Sequence, residues 1–260
     1  MNNFFRQSFY TYKGLFLWLN WPGYISSIIL YPIANVMMFT LIGRFGGEVG
    51  GAAFALGIVV FSMSFSIING LTQSYSYELA FGTLPFLYSS NASRLKNFLA
   101  RGVLHYPNAL IAFALGLTTS YFIAGLGFAY VNWGPFILAV LLIGFSLVSL
   151  GQFLGLISII MRDWISVQSI ALAVLVAFCG AIIPTYVFPN VVVTITHAMP
   201  ITNGLIAVRG AFNGAEFSAV GANIMHEFIV GLVYCAVSFI VFRIIEVYVK
   251  RSGKLDREIH

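Results

Sequence analysis

Six apolar runs separated by short polar segments constrain this chain more than any motif in it. They cover residues 21–42, 52–68, 103–126, 135–161, 165–183 and 227–249. A helix rises about 1.5 Å per residue and bilayer hydrocarbon is about 30 Å thick, so runs of this length read as membrane-spanning helices. Composition agrees. The chain is 60% apolar and 8% charged, whereas a soluble domain is about 25% charged. The expected fold is an all-α integral membrane protein: a single six-span domain over residues 1–260.

The segments between the runs carry the rest of the organisation. In residues 1–20, Phe5, Phe9, Tyr12, Phe16 and Leu19 recur at helical spacing, with Arg6, Lys13 and Asn20 on the adjacent flank. That pattern predicts an amphipathic helix lying in the membrane interface. Its interleaved charges do not read as a cleaved secretory signal, so it is expected to stay on the mature protein. Residues 77–101 form a polar island with Glu78, Arg94, Lys96 and Arg101, broken by Gly82, Pro85 and the Ser89-Ser90-Asn91 turn; a shaped loop is expected there. Residues 184–225 hold Pro184, Pro189 and Pro200 and two apolar pieces, 191–198 and 201–211. Each piece is too short to cross and too apolar for a solvated loop, which predicts short re-entrant helices on the outer side.

Counting Lys and Arg in alternate segments sets the orientation. Arg6, Lys13, Arg94, Lys96, Arg101, Arg162, Arg243, Lys250, Arg251, Lys254 and Arg257 fall on one side, and only Arg44 and Arg209 on the other. The positive-inside rule then places both termini and the 77–101 loop in the cytoplasm of a cell-membrane protein. The net charge of +5 is thus mostly topology, and no nucleic-acid partner is expected.

Several chemistries lack their motifs. The one Gly-Lys pair, Gly253-Lys254, has Tyr248 where a phosphate-binding loop needs its first Gly and Leu255 where Ser or Thr should follow. His226-Glu227 is followed by Phe228-Ile229-Val230, which is not a zinc-hydrolase helix. Cys179 and Cys235 lie inside apolar stretches and suggest neither disulfide nor metal site. Ion-coupled carriers place acids deep in their spans. Here Glu227 and Glu246 read as lying near opposite ends of the last span. What the spans offer instead is small and polar-uncharged: Ser62, Ser64, Ser66 and Asn69 late in span two, Asn35 in span one, and the Gly151/Gly155 pair that allows close helix approach. Asn35, Phe39, Phe61, Phe65 and Asn69 are the candidates for a substrate path, although lipid-facing packing explains aromatic positions equally well. An intramembrane lipid-modifying enzyme is the competing class, with His105, Asp163, His197, His226 and Glu227 as its candidate groups.

Two stretches carry a resemblance over nearly the whole chain. Glu78-Leu79-Ala80-Phe81-Gly82-Thr83-Leu84, followed by Ser89 and Arg94, is similar to an E-x-x-x-G-T-L…S…R pattern. Pro184 to Pro189, then Met199-Pro200, then Arg209 is similar to a P-x-x-x-x-P…P…R pattern ahead of the last helix. Both resemble the permease subunits of ABC-2 type exporters. The resemblance implies a membrane subunit without an ATPase of its own, driven by two copies of a cytoplasmic ATPase that bind ATP and Mg, and paired with a second permease protomer as a homodimer in membrane lipid. It implies that Glu78, Gly82, Thr83, Leu84, Pro85, Arg94, Lys96 and Arg101 couple to the ATPase, with Arg94, Lys96 and Arg101 facing it or lipid head groups and Glu78 pairing with the interface helix. Pro184, Tyr186, Phe188, Pro189, Pro200 and Arg209 would form an outer gate. The implied cargo is an amphipathic molecule such as a drug, antibiotic, peptide or lipid-linked product; a polysaccharide or teichoic-acid exporter is the nearest variant. The chain departs from the family's loop in one respect: Glu78 is the only charged residue between Asn69 and Arg94.

Overall fold

The computed structural model describes residues 22, 25–45, 51–82, 94–182 and 185–252, and among them every regular element is helical. A π-helical turn, Ile25–Leu30, leads into α1 (Tyr31–Phe45). Then follow α2 (Ala52–Ala80), α3 (Arg94–Ala124), α4 (Trp133–Met161), α5 (Trp164–Phe178), α6 (Asn190–His197), α7 (Thr202–Phe212) and α8 (Phe217–Ser252). The expected interface helix over 1–20 lies outside the described residues.

Helices α2, α3, α4 and α8 are long and apolar enough to cross a membrane, and α6 with α7 makes a fifth candidate if that bent pair is one span. The last span begins at Phe217, ten residues before the predicted start, because Ser218, Gly221, Asn223 and His226 dilute its first turns without breaking them. The fifth run is shorter than expected: α5 stops at Phe178 and Gly180 turns the chain with φ +80°, so the apolar Ala181 and Ile182 are not helical. At its other end, Asp163 caps α5 by accepting from the amides of Ile165 and Ser166, both at 3.1 Å. Bonding to Ser166, first through its side chain, holds that carboxyl below its ordinary range.

Helix α4 is the hub, packing most extensively on α8 and α2 and also on α7, α5 and α3. Its glycines allow this. A Cβ on Gly151 would meet the Leu71 side chain at 2.7 Å, and one on Gly155 would strike the Tyr75 ring, so these side chains of α2 pack directly on the backbone of α4. The core between them holds Ile58, Val59, Met63, Ile67, Ile143 and Leu147, all fully buried. Two hydroxyls inside α2 are satisfied locally, Ser64 on the Val60 carbonyl at 2.9 Å and Thr72 on that of Ile68 at 2.7 Å. Helix α8 turns Ile229, Leu232, Val233, Val237 and Ile240 outward, an apolar face suited to lipid.

Candidate functional site

Two polar clusters interrupt this apolar body. The first lies where α2 ends and α3 begins. Both helices continue into the stretch read as a loop, to Ala80 and from Arg94, which brings Glu78 and Arg101 face to face as a buried ion pair. The Arg101 guanidinium also lies over the Tyr75 ring, 4.3 Å from its centroid. The Tyr75 hydroxyl donates to the Gln152 carbonyl oxygen, and the Gln152 amide donates to the Phe98 carbonyl at 2.7 Å. Ser158 of α4 donates to the Thr72 carbonyl at 3.3 Å and contacts Ser76 at 3.2 Å. Three helices are thus pinned together by charge and hydrogen bonds directly below the segment that joins α2 to α3. Gly82 ends α2 in the left-handed region, φ +65°, a conformation that residues with a side chain rarely adopt.

The second cluster holds the α6–α7 hairpin. Pro200 lacks an N–H and disfavours helix in the residue before it, and the chain bends by 89° between α6 and α7. The turn leaves Ile201, wholly buried, at φ +83°, a costly conformation for a β-branched residue. It is held in place by Glu227 of α8, which accepts from the amides of Ile201 at 2.8 Å and Gly204 at 3.0 Å and from the Ser146 hydroxyl. A carboxylate at the first turn of α7 satisfies orphan amides and complements the helix dipole. Across the turn, the Asn203 amide donates to the His197 carbonyl at 2.8 Å, and its side-chain oxygen lies 2.7 Å from His197 Nδ1. Farther along α7, Arg209 donates to the carbonyls of Ala53 at 2.9 Å and Ala181 at 3.2 Å, tying the hairpin to the start of α2 and the end of α5. Glu227 is ten residues into α8, about 15 Å along its axis, and Ser146 is about 20 Å into α4. The hairpin tip therefore reaches well inside the helical body.

Residues 10–213 fit the family model of ABC-2 type transporters. The chain belongs to that family. No curated protein matches it.

An ABC-2 transporter membrane domain is the frame in which the predicted site residues can be placed. Arg101 and Glu78 are engaged with each other rather than presented outward. The reason is that α2 and α3 extend past the apolar runs by whole turns, which buries both charges between helices. Gly82 is the last described residue of α2's cap; Thr83, Leu84 and Pro85 and the side chains of Arg94 and Lys96 lie outside the described residues. Of the predicted gate residues, Pro200 lies at the bend of the hairpin and Arg209 in the last turn of α7, Pro189 is the N-cap of α6, and the tilted rings of Phe188 and Phe178 lie 6.2 Å apart. Pro184 and the side chain of Tyr186 are outside the described residues. Of the path candidates, Asn35 and Phe39 share a face of α1 with Tyr31, and Phe61, Phe65 and Asn69 share one of α2. The Tyr31–Phe65 ring stack, 4.0 Å between centroids, joins the two faces, and Asn35 donates to the Tyr31 hydroxyl at 3.4 Å.

Glu227 corrects the sequence reading that acids avoid the interior of the spans. The earlier start of α8 moves it inward, and the hairpin amides make its burial tolerable. Tyr75, Gln152, Ser146 and Asn203 went unpredicted. Gln152 carried a signal, being the only carboxamide in the 135–161 run.

Proposed function

We propose that this chain is the membrane subunit of an ATP-driven exporter, working as a homodimer with two cytoplasmic ATPase subunits and moving an amphipathic molecule across the cell membrane. In this reading α1 and α5 are its two short spans, making six, with both termini cytoplasmic. The observation that carries it is the buried Glu78–Arg101 pair with its Tyr75 and Gln152 partners. A loop that receives a push is useful only if its stems cannot bend independently, and this network makes the stems one rigid unit with α4. Force at residues 82–93 then reaches α4, and through Ser146 and Glu227 the outer hairpin. ATP and Mg belong to the partner, and the nucleotide acts on this chain only mechanically.

The competing reading, an intramembrane enzyme, draws no support from the arrangement of its candidate groups. Glu227 spends its oxygens on three donors, His197 is engaged by Asn203, His105 packs against Gly70 in the other half, and Asp163 caps α5.

Co-purification of the tagged chain from its native membrane, followed by an ATPase assay with and without amphipathic compounds, tests the proposal. A stoichiometric ATPase whose turnover falls about tenfold in Gly82→Glu and Leu84→Glu, a loss of ~1.4 kcal/mol in coupling, is the expected result. A chain that purifies without an ATPase, or turnover indifferent to both substitutions, would overturn it.

A further inference from the structure

Helices α3 and α8 both pack on α4 and meet each other where Phe98 lies against Phe239 and Phe242, with ring centroids 5.7 and 5.6 Å apart. Over α4 they leave a laterally open groove of about 470 Å³, lined by Leu99, Val103, Tyr106, Phe145, Val148 and Cys235 among others. Its few polar atoms are already committed: Tyr106 donates to the Leu141 carbonyl at 2.8 Å, Ser149 to that of Phe145 at 3.0 Å, and Gln152 to that of Phe98. A ligand with hydrogen-bonding groups would therefore find no partners inside, whereas a hydrocarbon chain would need none.

Length and charge narrow the occupant further. Leu95 and Leu99, both exposed, extend the groove along α3 toward the start of that helix. From Leu95 to Tyr106 is about 16 Å of axial rise, close to the ~15 Å of hydrocarbon in one leaflet. On α8, Cys235, Phe239 and Arg243 lie along one face, and Arg243 is 43% exposed while bonded to Glu246 at 2.9 Å. A lipid phosphate suits a groove end where an exposed guanidinium lies one turn beyond the Phe239–Phe98 contact.

We infer that the α3–α4–α8 groove is a binding site for one phospholipid of the cytoplasmic leaflet, with an acyl chain in the groove and the phosphate at its basic mouth. Because Gln152 forms part of the groove wall, the lipid would brace the polar network under the α2–α3 segment.

The test is native mass spectrometry of the full chain, purified in mild detergent and incubated with palmitoyl-oleoyl phosphatidylglycerol. The wild type should retain one lipid per chain through washing. Val103→Trp and Ser149→Leu, which fill the groove from α3 and from α4, should each lower retention about tenfold or more, since each displaced methylene loses much of that factor. Ile240→Trp, on the outward face of α8, should leave it unchanged. Two fillers from different helices guard against one failing to fold, and a thermal transition checks each. Equal retention in the fillers and the wild type would overturn the site. So would equal loss in Ile240→Trp, which signals general annular lipid, or a change of oligomeric state in the fillers with lipid count unchanged, which would assign the groove to another copy of the chain.

Discussion

At Ile201 two residue-scale effects oppose each other. Its backbone, at φ +83° and ψ −42°, costs about 1–3 kcal/mol for an L side chain, and glycine would ease that cost. The same side chain is fully buried, and truncating a buried isoleucine loses about 2–5 kcal/mol. Packing wins, so Ile201→Gly should destabilise by about 1–3 kcal/mol, read as a lowered unfolding midpoint in detergent. Glu227 sustains that conformation. Glu227→Ala strands the amides of Ile201 and Gly204 in the interior and should cost about 2–5 kcal/mol. Glu227→Gln keeps one acceptor and should cost less than half as much by the same measurement; equal losses would mean that the carboxylate does not cap α7. That Glu227 sits in an apolar stretch was plain in the sequence. Its partners were not, because they come from a turn more than twenty residues earlier and from α4.

Between elements, the decisive contact is Glu78 of α2 with Arg101 of α3. Removing one member of a buried pair leaves an uncompensated charge, at about 3–5 kcal/mol, whereas replacing both by apolar groups of similar size is often neutral. Glu78→Leu and Arg101→Met should each be strongly destabilising and the double variant much less so, giving a coupling energy of about 2 kcal/mol or more in a double-mutant cycle. Additive losses would show that the two charges act separately. The double variant also separates stability from transmission: a folded protein with weakened ATPase stimulation is the expected outcome if the pair stiffens the stems of the coupling segment. Sequence alone marked both residues but gave them other partners. A charged stretch flanked by Gly and Pro reads as loop, and only the helices' continuation through it puts residues 78 and 101 on facing sides.

For the molecule as a whole, the ends of the helices divide into two sets. Asn132 donates to the Ala211 carbonyl at 2.9 Å, so the α3–α4 and α7–α8 turns share one end, opposite the Arg162-Asp163 turn and Gly82. Charge bias assigns the first set to the outside. Single cysteines at Asn213 and Arg162, both exposed, in a chain with Cys179 and Cys235 replaced by Ser, test this with a membrane-impermeant maleimide on intact cells. Asn213→Cys should label and Arg162→Cys should label only after permeabilisation; the reverse would invert the topology and the export direction with it.

Hydropathy and the proline-rich stretch were enough to establish an all-helical membrane domain, most of its long helices and a broken pair ahead of the last one, and the two motif stretches pointed to the family. These are properties of local composition, since a helix in lipid satisfies its own backbone and is legible from its residues alone. Tertiary structure decided where α5 stops and α8 starts, that Glu78 answers Arg101, that Glu227 holds a strained turn, and that α3 and α8 part to leave a groove. Each depends on side chains far apart in sequence meeting in an interior where an unmatched polar group costs several kcal/mol, and helical periodicity carries no record of which helix will supply the match.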